Sequence, residues 1–220
     1  RAWAAVAGLL APWRTVYALD RRGRGASGDA DGFDPAREVA DVHALLAEIG
    51  EPVELFGHSS GGLLALRVAE TTPVTAMILY EPPLRVPGGA GADGVTPALI
   101  ELLTQGDREG ALSTFMTRSV GLTEPMLTAM RRTSFWTTAV ILAHTLPYDT
   151  RLRDESAPVA LDVPTLLLLG ETSPARMRTS VLALHDALPR RELGILPGQG
   201  HNALREAPDL LAERVLVRKP

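Results

Sequence analysis

Short, nearly unbroken apolar runs alternate along this chain with segments whose apolar residues recur at helical spacing. The runs lie over 15–19, 53–56, 74–80, 163–169 and near 192–196. Helical patterns cover 1–11, 35–49, 60–70, 174–187 and 207–216, and Val39, Val42, Leu45, Leu46 and Ile49 share one face of the second. Strands that are apolar throughout belong in a parallel sheet covered on both faces, and the intervening helices supply the crossovers. The alternation breaks once. A Pro/Gly-rich stretch over 86–94, read as flexible, leads into about four short helical patterns between 96 and 146 with no strand among them. The predicted fold is therefore α/β, a mostly parallel sheet flanked by helices. Its core comes from 1–84 and 160–220, and a helical cap over 85–159 is inserted after the strand at 74–80. A cap there would cover the strand ends, where open α/β sheets bind ligands.

Composition narrows the picture. With 220 residues, 45% of them hydrophobic and 22% charged, the chain fits one ordinary α/β domain with an insertion. A net charge of −4 argues against nucleic acid or an acidic membrane as partner, which leaves a small-molecule substrate. The oligomeric state stays open. All the basic residues but Lys219 are arginine, a bias expected of GC-rich DNA rather than of a binding patch. The absence of cysteine excludes disulfides, thiolate metal sites and a cysteine nucleophile. No apolar run reaches the roughly 18 residues of a membrane span. The opening ten residues faintly suggest a signal peptide, but they run into Pro12-Trp13-Arg14, so a helix within a cytoplasmic domain is expected. The first residue is Arg1 and not Met, so a longer parent chain is also expected.

Gly57-His58-Ser59-Ser60-Gly61 sits between a strand-like run and a helix-like run. G-x-S-x-G at such a turn is a nucleophile elbow, in which a strained backbone points the serine hydroxyl outward. Side chains in place of Gly57 and Gly61 are expected to collide with the neighbouring strand and helix. By chance the bare pattern is expected about 0.07 times in a chain of this composition, so its flanking elements carry much of the signal.

A serine needs a base, and five histidines are candidates. His43 and His185 lie in helical patterns, His144 in the cap, and His58 on the elbow with its side chain expected to point away from Ser59. His201 ends the glycine-rich loop 196–201, after the last strand and before the last helix. That loop would bring it to the carboxyl edge of the sheet, level with the elbow.

These segments resemble the α/β-hydrolase family. Asp20-Arg21-Arg22-Gly23-Arg24-Gly25-Ala26-Ser27 is similar to its D-x-R-G-x-G-x-S turn, Gly57–Gly61 to its elbow, and Gly198–His201 to its histidine loop. The order serine before histidine fits as well. The resemblance implies acyl-transfer chemistry run by a Ser-His-acid triad, with no metal and no cofactor.

Two departures stand out. The family usually takes its acid from a G-x-x-D loop after the strand at 163–169, and here that loop reads Gly170-Glu171-Thr172-Ser173. A serine cannot stabilise an imidazolium by charge. Glu81 directly follows the strand at 74–80, a position from which some members, haloalkane dehalogenases among them, draw their acid. Pro82 and Pro83 would stiffen its loop. Glu81 is therefore the expected acid, Glu171 the alternative, and Asp154 and Asp149 more distant candidates. The second departure concerns the oxyanion hole. Ser60 supplies one N–H, but the His-Gly segment expected to supply the other, and the first strands with it, are absent from this sequence.

Serine at the elbow argues against epoxide or haloalkane hydrolysis, which need a carboxylate nucleophile, and fits esters, lactones, thioesters, amides or diketone cleavage. Phe115, Met116, Met126, Met130, Phe135 and Trp136 suggest an apolar cap pocket, although such residues in helices are commonly core. A small, fairly hydrophobic ester or lactone is expected. The opposing reading is an inactive fragment or a small-molecule binding protein on the same fold. A nucleotide binder is disfavoured, because no G-x-G-x-x-G or P-loop opens a helix.

Overall fold

The computed structural model describes residues 3–86 and 94–217. Most of the Pro/Gly-rich stretch read as flexible therefore lies outside the described residues. Four strands, β1 (Glu54–His58), β2 (Ala76–Tyr80), β3 (Thr165–Gly170) and β4 (Arg191–Leu196), form one parallel sheet in the order β1-β2-β3-β4. The register sets Gly57 beside Leu79, His58 beside Tyr80, and Tyr80 beside Leu168. All four carboxyl ends consequently fall on one edge.

Successive side chains of the two inner strands point to opposite faces, as the period of two requires. Met77, Leu79, Leu167 and Leu169 join one core with α2 (Pro35–Ile49), α3 (Ser60–Ala69) and α9 (Ala175–Ala187). Ile78, Tyr80, Leu166 and Leu168 join the other with α1 (Ala4–Leu10), α10 (Ala203–Glu206) and α11 (Pro208–Leu216). Every residue of β2 and β3 is buried, which is why these strands read as unbroken apolar runs. Helix α2 is well terminated: Asp34 accepts from the Ala36 N–H at 2.9 Å, Pro35 opens the first turn, and Gly50 ends the helix at φ 68°.

Between β2 and β3 run α4 (Val95–Thr104), α5 (Arg108–Phe115), a π-turn (Met116–Val120), α6 (Glu124–Arg131), α7 (Ser134–Ile141), a 3₁₀ turn (Ala143–Thr145) and α8 (Leu146–Asp154). Most of this insertion packs around its own residues, such as Leu112, Leu127 and Trp136. Helix α8 extends beyond the expected helical patterns and is tied to the sheet domain, with Leu152 in the first core. No helix of the described residues is long and apolar enough to cross a membrane.

One expected strand is not formed. Residues 15–19 pair with no strand and are exposed. An apolar cavity of about 550 Å³ lies between them and β1, lined by Val16, Leu46, Leu55, Phe56 and Leu64 among others. Strand propensity alone does not make a strand where no partner edge is within hydrogen-bonding distance.

Leu167 is fully buried at the centre of the sheet. Leu167→Ala should lower the unfolding free energy by about 2–5 kcal/mol in urea denaturation. A loss under about 1 kcal/mol would show that the site collapses to fill the void.

Candidate active site

β1 ends at His58 and α3 begins at Ser60, so the chain reverses at Ser59 alone. Ser59 has φ 53° and ψ −127°. Among the described residues it shares a positive φ outside glycine only with Glu81, at 48°. Such backbone costs about 1–3 kcal/mol per residue and persists where the surroundings impose it. Here the Ser59 N–H donates to the Tyr80 carbonyl at 2.9 Å, and the Ser59 carbonyl accepts from Gly62 at 2.8 Å.

The glycine expectation is half right. A Cβ on Gly57 would lie 2.4 Å from the Gly61 carbonyl oxygen, so nothing larger fits. A Cβ on Gly61 would meet nothing within 4 Å; the close approach is at Gly62, 3.1 Å from Pro82.

The histidine loop is pinned from three sides. The Tyr80 hydroxyl donates to the Gly200 carbonyl, and the Gln199 carbonyl accepts from Thr172 at 2.9 Å. His58 Nε2 lies 2.8 Å from the His201 carbonyl, which can only accept, so that nitrogen carries a proton. Loss of hydration, with His201 beside it, pushes the His58 pKa down to about 3, so this ring is neutral. His58 thus faces the histidine loop and acts through the His201 backbone.

His201 Nδ1 lies 2.6 Å from Glu81 Oε2. The other carboxylate oxygen of Glu81 accepts from the Gly170 N–H at 2.7 Å. A Cβ on Gly170 would lie 2.6 Å from the Gln199 carbonyl oxygen, so this glycine lets the loop after β3 and the histidine loop approach closely. Burial alone would raise the Glu81 pKa; bonding to His201 and the Gly170 N–H, with the Ser173 hydroxyl close by, outweighs it and holds the carboxyl below its ordinary value. Ser173, in the family's usual acid position, adds to this field, although its buried hydroxyl makes no hydrogen bond of ordinary geometry. Arg176, on the first turn of α9, has a buried Nε without an acceptor, and burial lowers its pKa against the pull of Glu81.

The other carboxylates are engaged elsewhere. Glu171 accepts from the Gly198 N–H at 2.7 Å, bracing the base of the histidine loop rather than the imidazole. Asp154 accepts from the Thr96 hydroxyl at 2.6 Å, and Asp149 bonds to Ser60, Arg21 and Arg24. Ser59 Oγ makes no hydrogen bond to His201 in this structure; catalytic bonds of this kind are often loose until substrate closes the site. The Ser60 N–H opens α3, where the helix dipole favours negative charge.

The apolar pocket expected from the insertion is corrected by the packing. Met116 and Trp136 are buried in the insertion's own core, Phe115 and Met130 pack against them, and Met126 is exposed. Phe135 instead stacks under the Arg205 guanidinium at 5.8 Å, four residues beyond His201. The cavity beside β1 is lined by Gly57, His58 and Gly61, but not by Ser59, His201 or Glu81. Two features were invisible in sequence: the positive φ of Glu81 and the bond from His58 to the histidine loop. A histidine directly before Ser59 was the available signal for the second.

Comparisons with known proteins agree on the framework. The family model described as "Alpha/beta hydrolase family" matches residues 1–214. A solved α/β hydrolase from Sphaerobacter thermophilus superposes with TM-score 0.86 at 34% identity, covering 97% of this chain and 85% of that one. A thermophilic esterase from Thermogutta terrifontis gives TM-score 0.75 at 19% identity over 98% of this chain and 83% of that one, a likeness of fold alone. N-formylmaleamate deformylase from Pseudomonas putida is 32% identical over 47% of this chain and 40% of its own length. The curated relatives are thus matched over less than half their length.

Because Glu81 titrates lower when folded, its contribution to stability is present above about pH 4.5 and is lost as pH falls through the folded value. Between pH 6 and pH 3, urea denaturation should show the wild type losing stability relative to Glu81→Gln. A difference that does not change over this range would contradict the assignment of a bonded, ionised Glu81.

Proposed function

Because the chain belongs to the α/β-hydrolase family, we propose that it is a serine hydrolase acting on a small, fairly hydrophobic carboxylic ester or lactone through an acyl-enzyme. The observation that carries this reading is the 2.6 Å pair between His201 and a buried Glu81 at the strand end beside the strained Ser59. In this reading Ser59 Oγ attacks the substrate carbonyl, and its proton passes to His201 Nε2, the nitrogen facing away from Glu81. Glu81 fixes the tautomer and stabilises the imidazolium without taking the proton. The developing oxyanion faces the Ser60 N–H. His201 then protonates the leaving oxygen, and water, deprotonated by the same ring, releases the acid. The helical insertion acts as the cap that selects the acyl group. The deformylase relative acts on an N-acyl compound by its name, so amide-like substrates belong in the first screen.

A fluorophosphonate probe should label the wild type and leave Ser59→Ala unlabelled. With p-nitrophenyl acetate or butyrate, Glu81→Gln should lower kcat by about 10²–10⁴-fold, while Glu171→Gln should stay within about tenfold. An unlabelled wild type would favour a binding protein on this fold. Near-normal turnover by Glu81→Gln would remove Glu81 as the acid.

A further inference from the structure

Asp149 enters the sequence reading as a distant candidate for the triad acid, and the structure gives it a different place. It lies on α8 of the insertion, yet its Oδ1 faces the residue after the nucleophile. The Ser60 hydroxyl donates to that oxygen at 2.8 Å. Arg21 Nη1 donates both to Ser60 Oγ at 2.9 Å and to Asp149 Oδ1 at 3.1 Å. Arg24 adds a third donor to the same oxygen at 2.9 Å.

The two arginines are firmly held. Arg21 grips the buried Glu38 of α2 with two parallel bonds of 2.8 and 2.7 Å. Both arginines come from the turn 20–28, whose Gly23 and Gly25 have φ of 73° and 59°. Nearby, the Tyr148 hydroxyl donates to Asp29 at 2.8 Å, and Arg24 also reaches the Thr145 carbonyl at 3.3 Å. The first turn of α8 is therefore clasped by this loop. Two cations face two carboxylates, so the cluster is neutral only while Asp149 is in place. Burial opposes a charge on Asp149, but Arg24 and Arg21 hold its carboxyl below the ordinary range.

Ser60 is the point where this cluster meets the chemistry. Its side chain belongs to the clasp, and its backbone N–H is the donor assigned to the oxyanion. A shift of α8 away from the loop would withdraw the acceptor of the Ser60 hydroxyl and leave Arg21 as its partner. Displacing the first peptide of α3 by a few tenths of an ångström would then misaim the N–H, and such donors are sensitive to aim.

We infer that Asp149 and Arg21 are positioning residues that hold the oxyanion donor of Ser60 in register when α8 is docked on the sheet domain. The inference rests on the serine-hydrolase reading above and goes beyond it by making the cap one side of the donor's support.

The test is the second-order rate of fluorophosphonate labelling, since phosphonylation builds charge on an oxygen at the same donor. It is measured for the wild type, Ser60→Ala, Ser60→Thr, Asp149→Asn and the Ser60→Ala/Asp149→Asn double variant. The temperature is one at which circular dichroism shows each of them folded. Ser60→Ala keeps the N–H and loses only the tether, so it should label about tenfold more slowly. Ser60→Thr should recover to within about threefold. Asp149→Asn should be slowed as Ser60→Ala is, and the double variant should be no slower than the slower single, because both remove one interaction. A merely structural clasp would lower the melting temperature and leave the labelling rate unmoved. Ser60→Ala labelling within twofold of the wild type would overturn the inference, even if Asp149→Asn fails to fold. So would losses that multiply in the double variant. A wild type that labels while Ser60→Ala is unaffected overturns the clasp alone, whereas an unlabelled wild type overturns the hydrolase reading and the inference with it.

Discussion

The bond between Glu81 and His201 ties the strand ends of this molecule together. One oxygen of a buried carboxylate takes the imidazole and the other takes the Gly170 N–H. The ends of β2, β3 and β4 are thereby fastened to one side chain. The Glu81 backbone sits at φ 48° just past the end of β2, beside Ser59 at φ 53° just past the end of β1. Two strained residues at the ends of neighbouring strands are expensive, and the two buried cores of the sheet supply the rigidity that holds them. The constraint also explains the glycines that matter. Gly57 and Gly170 lie where backbone passes within 2.6 Å of a would-be Cβ, one under the elbow and one under the histidine loop.

Much of this was legible in the sequence, because each legible feature is local. The elbow is five consecutive residues, the parallel sheet follows from apolar runs, and His201 stands in a glycine-rich loop after the last strand. Glu81 was reached through the family resemblance, since Ser173 stands where that family usually has its aspartate and some members draw the acid from the position after β2; the structure sets its carboxylate 2.6 Å from His201. The side chain of Glu171 was not legible. Its carboxylate caps the Gly198 N–H, a contact between residues on two different loops. The segment 15–19 shows the same limit from the other side. Its composition is that of a strand, but a strand exists only with a partner, and a cavity separates it from β1.

The helical insertion follows similar logic. Its methionines and aromatics were readable as pocket or as core, and most of them are core, because an insertion of short helices must bury something of its own. Its join to the sheet domain is apolar at Leu152, which enters the first core, and polar where Asp149 and Tyr148 meet the arginine- and aspartate-rich loop that precedes α2. Asp149, a distant acid candidate in sequence, and the arginines of the 20–28 turn are partners across a join between two parts of the chain. His58 belongs with them, a neutral ring whose work is to hold the His201 carbonyl.

The pairing of Glu81 with the imidazole is open to direct observation by proton NMR. A short bond from a ring N–H to a buried carboxylate produces a far-downfield imidazole proton. The wild type should show one such resonance, lost in Glu81→Gln and in His201→Asn and retained in Glu171→Gln. A resonance that survives Glu81→Gln but disappears in Glu171→Gln would contradict the account and move the acid to the loop after β3.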